Sequence, residues 1–71
     1  MIEYDVPEAI LQQACKITPG HDSPTITALA KSGWFSVKAM VKKDFSQKAM
    51  DQLSKLGCSG ILLMSIDNVR I

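Results

Sequence analysis

Aromatic side chains make up only 6% of this 71-residue chain, and one of them is the sole tryptophan, Trp34. That scarcity weighs against a sheet that stacks nucleic-acid bases, which needs aromatics on its central strands in a recognisable motif. Excess positive charge is missing too. The net charge is +1, and Lys42-Lys43 is the only basic pair, with no aromatic interleaved. The basic stripe of a nucleic-acid-binding domain is therefore absent. The two cysteines, Cys15 and Cys58, lie far apart and form no CxxC. This excludes a disulfide framework, a zinc site and a metal chaperone that grips its ion through CxxC. No apolar run approaches the roughly 20 residues needed to span a bilayer. Two unpaired thiols and the lack of a signal peptide point to a soluble protein of the reducing cytoplasm.

What is present is a regular alternation of short elements. Ile2, Tyr4 and Val6 alternate with Met1, Glu3 and Asp5, which predicts an amphipathic strand. A strand that opens at the first residue suggests a chain cut from something longer, with a genuine short protein as the alternative. Asp5-Val6-Pro7-Glu8 has the form of a capping box, and Ile10, Leu11, Ala14 and Ile17 then supply the apolar stripe of a helix that Pro19 and Gly20 end. Residues 25–29 predict a short strand, Ala30-Lys31-Ser32-Gly33 a hairpin turn, and residues 34–41 a longer strand. Asp44-Phe45-Ser46-Gln47 is a second capping-box pattern. It leads a helix with Phe45, Ala49, Leu53 and Leu56 on one face, which Gly57 stops. Ile61-Leu62-Leu63-Met64 is a continuous apolar strand, and such a run implies burial on both faces. Val69 and Ile71 could add a short edge strand.

The order is β-α-β-β-α-β. This predicts one α+β domain over residues 1–71, the ferredoxin-like βαββαβ arrangement: an antiparallel four-stranded sheet with both helices on one face. The helix side should hold Tyr4, Val6, Ile26, Ala28, Phe35, Val37, Ala39 and Val41. The opposite face should carry Glu3, Asp5, Thr25, Thr27, Trp34, Ser36, Lys38 and Met40, a mixed surface suited to a ligand or another subunit. A chain this short buries only about 60% of its unfolded surface, so self-association or a larger parent protein is expected to support it.

No nucleophile, base and acid stand in a recognisable pattern. His21 is the only histidine, and a solitary loop histidine is ordinarily a solvated residue. Glu3 and Asp5 share a strand face, but two acids without further oxygen ligands do not make a metal site. Gly57-Cys58-Ser59-Gly60 lacks the length and the lysine of a phosphate loop. Asp5 has two readings, a helix cap or an acceptor for a cationic or imidazole ligand on the open face. The Pro/Gly loop over residues 17–25 is likewise either a rigid connector or part of a site.

Glu3-Tyr4-Asp5-Val6-Pro7, Ile17-Thr18-Pro19-Gly20, Ser23-Pro24-Thr25, Gly33-Trp34 and Leu56-Gly57-Cys58-Ser59-Gly60-Ile61-Leu62 occur here in order. Together they resemble the C-terminal regulatory domain of long-form ATP phosphoribosyltransferase, over essentially the whole chain. The resemblance implies a ferredoxin-like domain that binds L-histidine as an allosteric feedback inhibitor of histidine biosynthesis, between neighbouring domains of an oligomer. It implies self-association as a trimer or higher assembly and a catalytic phosphoribosyltransferase domain in the parent protein, with no nucleic-acid or membrane partner. Carried over by motif, Asp5 takes the histidine side chain, Thr25 and Ser23 supply polar contacts, and Met40 stands where the family usually has Leu. Gly60 matches a small residue that approaches the ligand through its backbone, and His21 falls where many members line the site with an apolar residue. The chain itself is expected to catalyse nothing and to hold no cofactor, magnesium belonging to the absent catalytic domain. The departures at Met40 and His21 also leave open a structural oligomerisation module whose ligand site has decayed.

Overall fold

Every second side chain of the first strand is fully buried, and the sheet is assembled around it. The computed structural model describes residues 1–19 and 24–64. Strand β1, Ile2–Pro7, is followed by a 3-10 turn, Glu8–Ile10, and helix α1, Leu11–Ile17. Strands β2, Thr25–Ala28, and β3, Trp34–Ala39, form a hairpin closed through Gly33 at φ 81°. A second 3-10 turn, Lys43–Phe45, leads into α2, Ser46–Leu56, and β4 is Ser59–Leu63. The strands are antiparallel throughout, in the order β2-β3-β1-β4. This is the ferredoxin-like arrangement.

The pattern read from the residues sets the faces correctly. Ile2, Tyr4 and Val6 stand opposite Ala39, Val37 and Phe35. Five of these six side chains, all but Phe35, join Ala14 of α1 and Ala49 and Leu53 of α2 in one core, against which Phe35 packs. Both helices thus pack on one face of the sheet. Alanine at the helix contact positions lets each helix approach closely, so the core is thin and rests on few large side chains. Gly57 ends α2 at φ 117°, and the Gly57 and Cys58 N–H groups both donate to the Leu53 carbonyl. A left-handed residue at this position redirects the chain into β4 while satisfying the last carbonyls.

Three expectations fail for identifiable reasons. Asp5 does not cap a helix: β1 continues through Pro7, and the following turn has no side-chain cap. Strand pairing with β3, from Asp5–Ser36 to Pro7–Trp34, outweighs the local capping pattern. Asp44 does not cap α2 either, since it lies inside the 3-10 turn, and Ser46 Oγ donates back to the Lys43 carbonyl at 2.8 Å. The Ile61–Met64 run is not buried on both faces. β4 takes an edge position beside β1 with both helices on a single side, leaving Leu62 57% exposed. The short edge strand expected at Val69 and Ile71 lies outside the described residues.

Candidate functional site

The face opposite the helices is built from the odd-numbered residues of β1 and the even-numbered residues of β3. Glu3 stands opposite Lys38, Asp5 opposite Ser36 and Pro7 opposite Trp34. On the outer side of β3, Thr25 aligns with Lys38 and Thr27 with Ser36. The face therefore carries cross-strand rows, Glu3–Lys38–Thr25 and Asp5–Ser36–Thr27, with the Trp34–Pro7 pair at one end. The Lys31 ammonium lies 4.7 Å from the centre of the Trp34 ring, a cation–π contact that secures the hairpin end of this face.

Asp5 is half-buried and has no hydrogen-bond or ion-pair partner among the described residues. With the capping role gone, both carboxylate oxygens are without a partner among the described residues. Beside it, the β1–β4 register shifts between Glu3 and Asp5, and Gly60 takes φ 60°. A glycine in this conformation at a register shift marks a bulge. A Cβ on Gly60 would touch the acid, 3.4 Å from Asp5 Oδ2, and the positive φ strains any side chain there. The bulge thus brings a bare stretch of main chain up to the carboxylate.

The other sequence-derived site residues fall elsewhere. Thr25 is exposed, at the far edge of the sheet, separated from Asp5 by β3 and by one row of side chains. From strand spacings, their backbones are roughly 12 Å apart. Met40 is half-buried and follows directly on Ala39, the residue opposite Ile2. It stands toward the Thr25 end of the face, away from Pro7 and Trp34. His21 and Ser23 lie outside the described residues. One copy of the chain therefore joins Asp5 to Gly60 and puts Thr25 on the opposite edge. A ligand touching both within one copy would have to lie across β3, over Ser36 and the exposed Lys38.

One structural feature at the site's border was not anticipated. Tyr4 and Thr18 are both fully buried, with Tyr4 Oη and Thr18 Oγ1 2.7 Å apart. Thr18 Oγ1 also donates to the Ala14 carbonyl at 3.4 Å, so the shorter bond is donated by Tyr4. This bond fastens the start of the Pro/Gly loop to the central strand. The sequence signal was Tyr4 itself, since a tyrosine on an apolar face needs a partner for its hydroxyl.

Burial pushes the Tyr4 phenol from 10.0 up to about 12, partly offset by the bond to Thr18. Burial raises the Cys15 and Cys58 thiols as well. A folded-state pKa above the unfolded value means stability fully present below the unfolded pKa and lost as pH rises through the folded one. Chemical denaturation should therefore show stability falling between pH 10.0 and about 12. In Tyr4→Phe the part of that fall due to the phenol should disappear, at a cost of about 1 kcal/mol at neutral pH for the lost hydrogen bond. An unchanged alkaline profile in Tyr4→Phe would contradict the assignment.

The helix-covered antiparallel sheet, with a carboxylate that lacks a partner among the described residues beside a glycine bulge on its open face, defines a ferredoxin-like domain with a candidate polar-ligand site. A family model described as "HisG, C-terminal domain" matches residues 1–68, and the chain belongs to that family. The chain is 44% identical to an ATP phosphoribosyltransferase of Salinibacter ruber over 71 residues, all of this chain and 25% of that protein. It is 43% identical to the ATP phosphoribosyltransferase of Nocardia farcinica and 46% identical to that of Rhodococcus erythropolis, each over 70 residues, 99% of this chain and 25% of the relative. The chain spans about a quarter of the length of these relatives.

Proposed function

We propose that this chain is the regulatory domain of an ATP phosphoribosyltransferase, the first enzyme of histidine biosynthesis, and that it binds L-histidine as the feedback signal. The observation that carries this reading is Asp5: a half-buried carboxylate without a partner among the described residues, set against the Gly60 main chain on the open face. An imidazole N–H donates well to such an acid, and the adjoining bulge accommodates a flat ring without a side chain in the way. The family resemblance assigns Asp5, Thr25, Met40 and Gly60 to one ligand, with Ser23 and His21 on the same border. Since Asp5–Gly60 and Thr25 lie toward opposite sides of one sheet, the ligand is held between two copies, each supplying one half. Binding then favours the assembled state, and by reciprocity assembly tightens binding.

In this reading the chain has no catalysis of its own. Phosphoribosyl transfer and its magnesium belong to the catalytic part of a cytoplasmic parent enzyme. Among the described residues no three His, Cys, Asp or Glu side chains are grouped to hold a metal ion, and no helix is long and apolar enough to cross a membrane.

Isothermal titration of the folded, associated chain with L-histidine tests the proposal. Saturable heat approaching one ligand per chain is expected, with little or none for L-glutamine, which lacks the imidazole. Absence of heat from an intact oligomer would leave the assembly role alone and sink the histidine reading.

A further inference from the structure

Lys38 is the only basic residue on the four strands, whose other charged residues are two acids, Glu3 and Asp5. All three share the open face, in two neighbouring cross-strand rows. Lys38 holds the middle of its row, with Glu3 aligned on β1 and Thr25 aligned on β2. It is exposed, and none of the side-chain hydrogen bonds among the described residues engages its ammonium, Glu3 included.

An α-amino acid with an imidazole ring presents two ends to such a face. The proposed contact between the ring and Asp5 leaves the α-carboxylate, a full negative charge, to be matched. Thr25 can donate one hydrogen bond to it but brings no charge. Side chains aligned across two antiparallel strands have their Cβ atoms about 5 Å apart, so the Lys38 ammonium and the Thr25 hydroxyl can meet at one point. A hydrogen bond between an ammonium and a carboxylate is roughly twice as strong as a neutral one. Two observations favour Lys38 over other placements. A carboxylate turned toward β1 would meet Glu3 and Asp5, two like charges. The other lysine bordering this face, Lys31, lies over the Trp34 ring at the hairpin end, two rows away from Thr25.

We infer that Lys38 recognises the α-carboxylate of the ligand, acting with Thr25 on the half of the site that faces Asp5 of another copy. Lys38 then sets the preference for the amino acid over an imidazole compound without the carboxylate. The inference rests on the histidine reading and adds to it the source of selectivity at the far end of the ligand.

A cycle of two ligands and two proteins tests it. L-histidine and L-histidinol, which has an alcohol in place of the carboxylate, are titrated into the wild-type chain and into Lys38→Met. Methionine keeps an unbranched side chain and removes the charge. The wild-type chain should prefer L-histidine roughly 10- to 150-fold, the range for a hydrogen bond between charged groups. In Lys38→Met the affinity for L-histidine should fall to near that for L-histidinol, while L-histidinol binding changes less than threefold. Lys38→Arg, which retains the charge, should keep most of the preference. Circular dichroism and sedimentation confirm that fold and association match the wild type, and Lys38→Gln replaces Lys38→Met if either is altered. Equal losses for both ligands, or a preference that survives in Lys38→Met, would overturn the inference while leaving the histidine reading in place. No binding of L-histidine by the wild-type chain would overturn both.

Discussion

Asp5→Ala should weaken L-histidine binding by about 2 to 3 kcal/mol, the cost of removing the acceptor from a hydrogen bond to a charged group. In a titration that is roughly a 30- to 150-fold rise in Kd, at about 1.4 kcal/mol per tenfold. The structure makes this substitution cleaner than the sequence suggested. A helix-capping aspartate would have confounded lost binding with lost stability, but Asp5 lies within β1 and makes no cap. Its removal should leave the thermal midpoint of the ligand-free chain nearly unchanged, because no hydrogen bond among the described residues depends on it. Binding reduced less than threefold would assign the histidine contact elsewhere.

Leu53→Ala should have the largest effect on the fold. Leu53 is fully buried, and with Ile2, Tyr4, Val6 and Val37 it is one of five sizeable fully buried hydrophobic side chains, the other buried hydrophobic members being alanines and Cys58. Truncating a buried leucine costs about 2 to 5 kcal/mol through lost transfer energy and the cavity left behind. A domain of 71 residues has only about 4 to 10 kcal/mol of stability to lose. Urea denaturation should show a large drop in midpoint with the slope retained, or a chain already partly unfolded without denaturant. A loss below about 1 kcal/mol would mean that the helix-to-sheet packing is not what holds the domain together.

Periodicity could be read reliably where burial is decided within a strand or helix. The β1 alternation, the α2 stripe and the Gly57 stop all lie where the residues indicated, because each depends on a repeat or a backbone conformation local to a few residues. The failures share a different origin. Asp5 and Asp44 both sit in capping patterns, yet strand pairing in one case and a preceding 3-10 turn in the other decide where the helices start. The Ile61–Met64 run suggests double burial because its composition does not distinguish a central strand from an edge strand.

For the site, motif resemblance named the residues, and the register then separated them. Asp5 and Gly60 come together through a bulge that no local pattern announces, since it depends on the β1–β4 pairing. Thr25 lies on the same face but at the other edge, a separation that becomes visible only with the strand order. In the proposed function this separation is what places the ligand between two copies, each supplying one half of the site.

The central claim is that one histidine is held by Asp5 of one copy and Thr25 of the next, and complementation tests it directly. Asp5→Ala and Thr25→Val should each bind L-histidine poorly as a pure protein. When the two are unfolded together and reassembled at equal ratio, about a quarter of the sites between copies should unite an intact Asp5 half with an intact Thr25 half. Titration should then recover high-affinity sites at about that fraction of the wild-type stoichiometry. A mixed assembly that binds no better than either variant alone would place both residues in a site within one copy, and contradict the account.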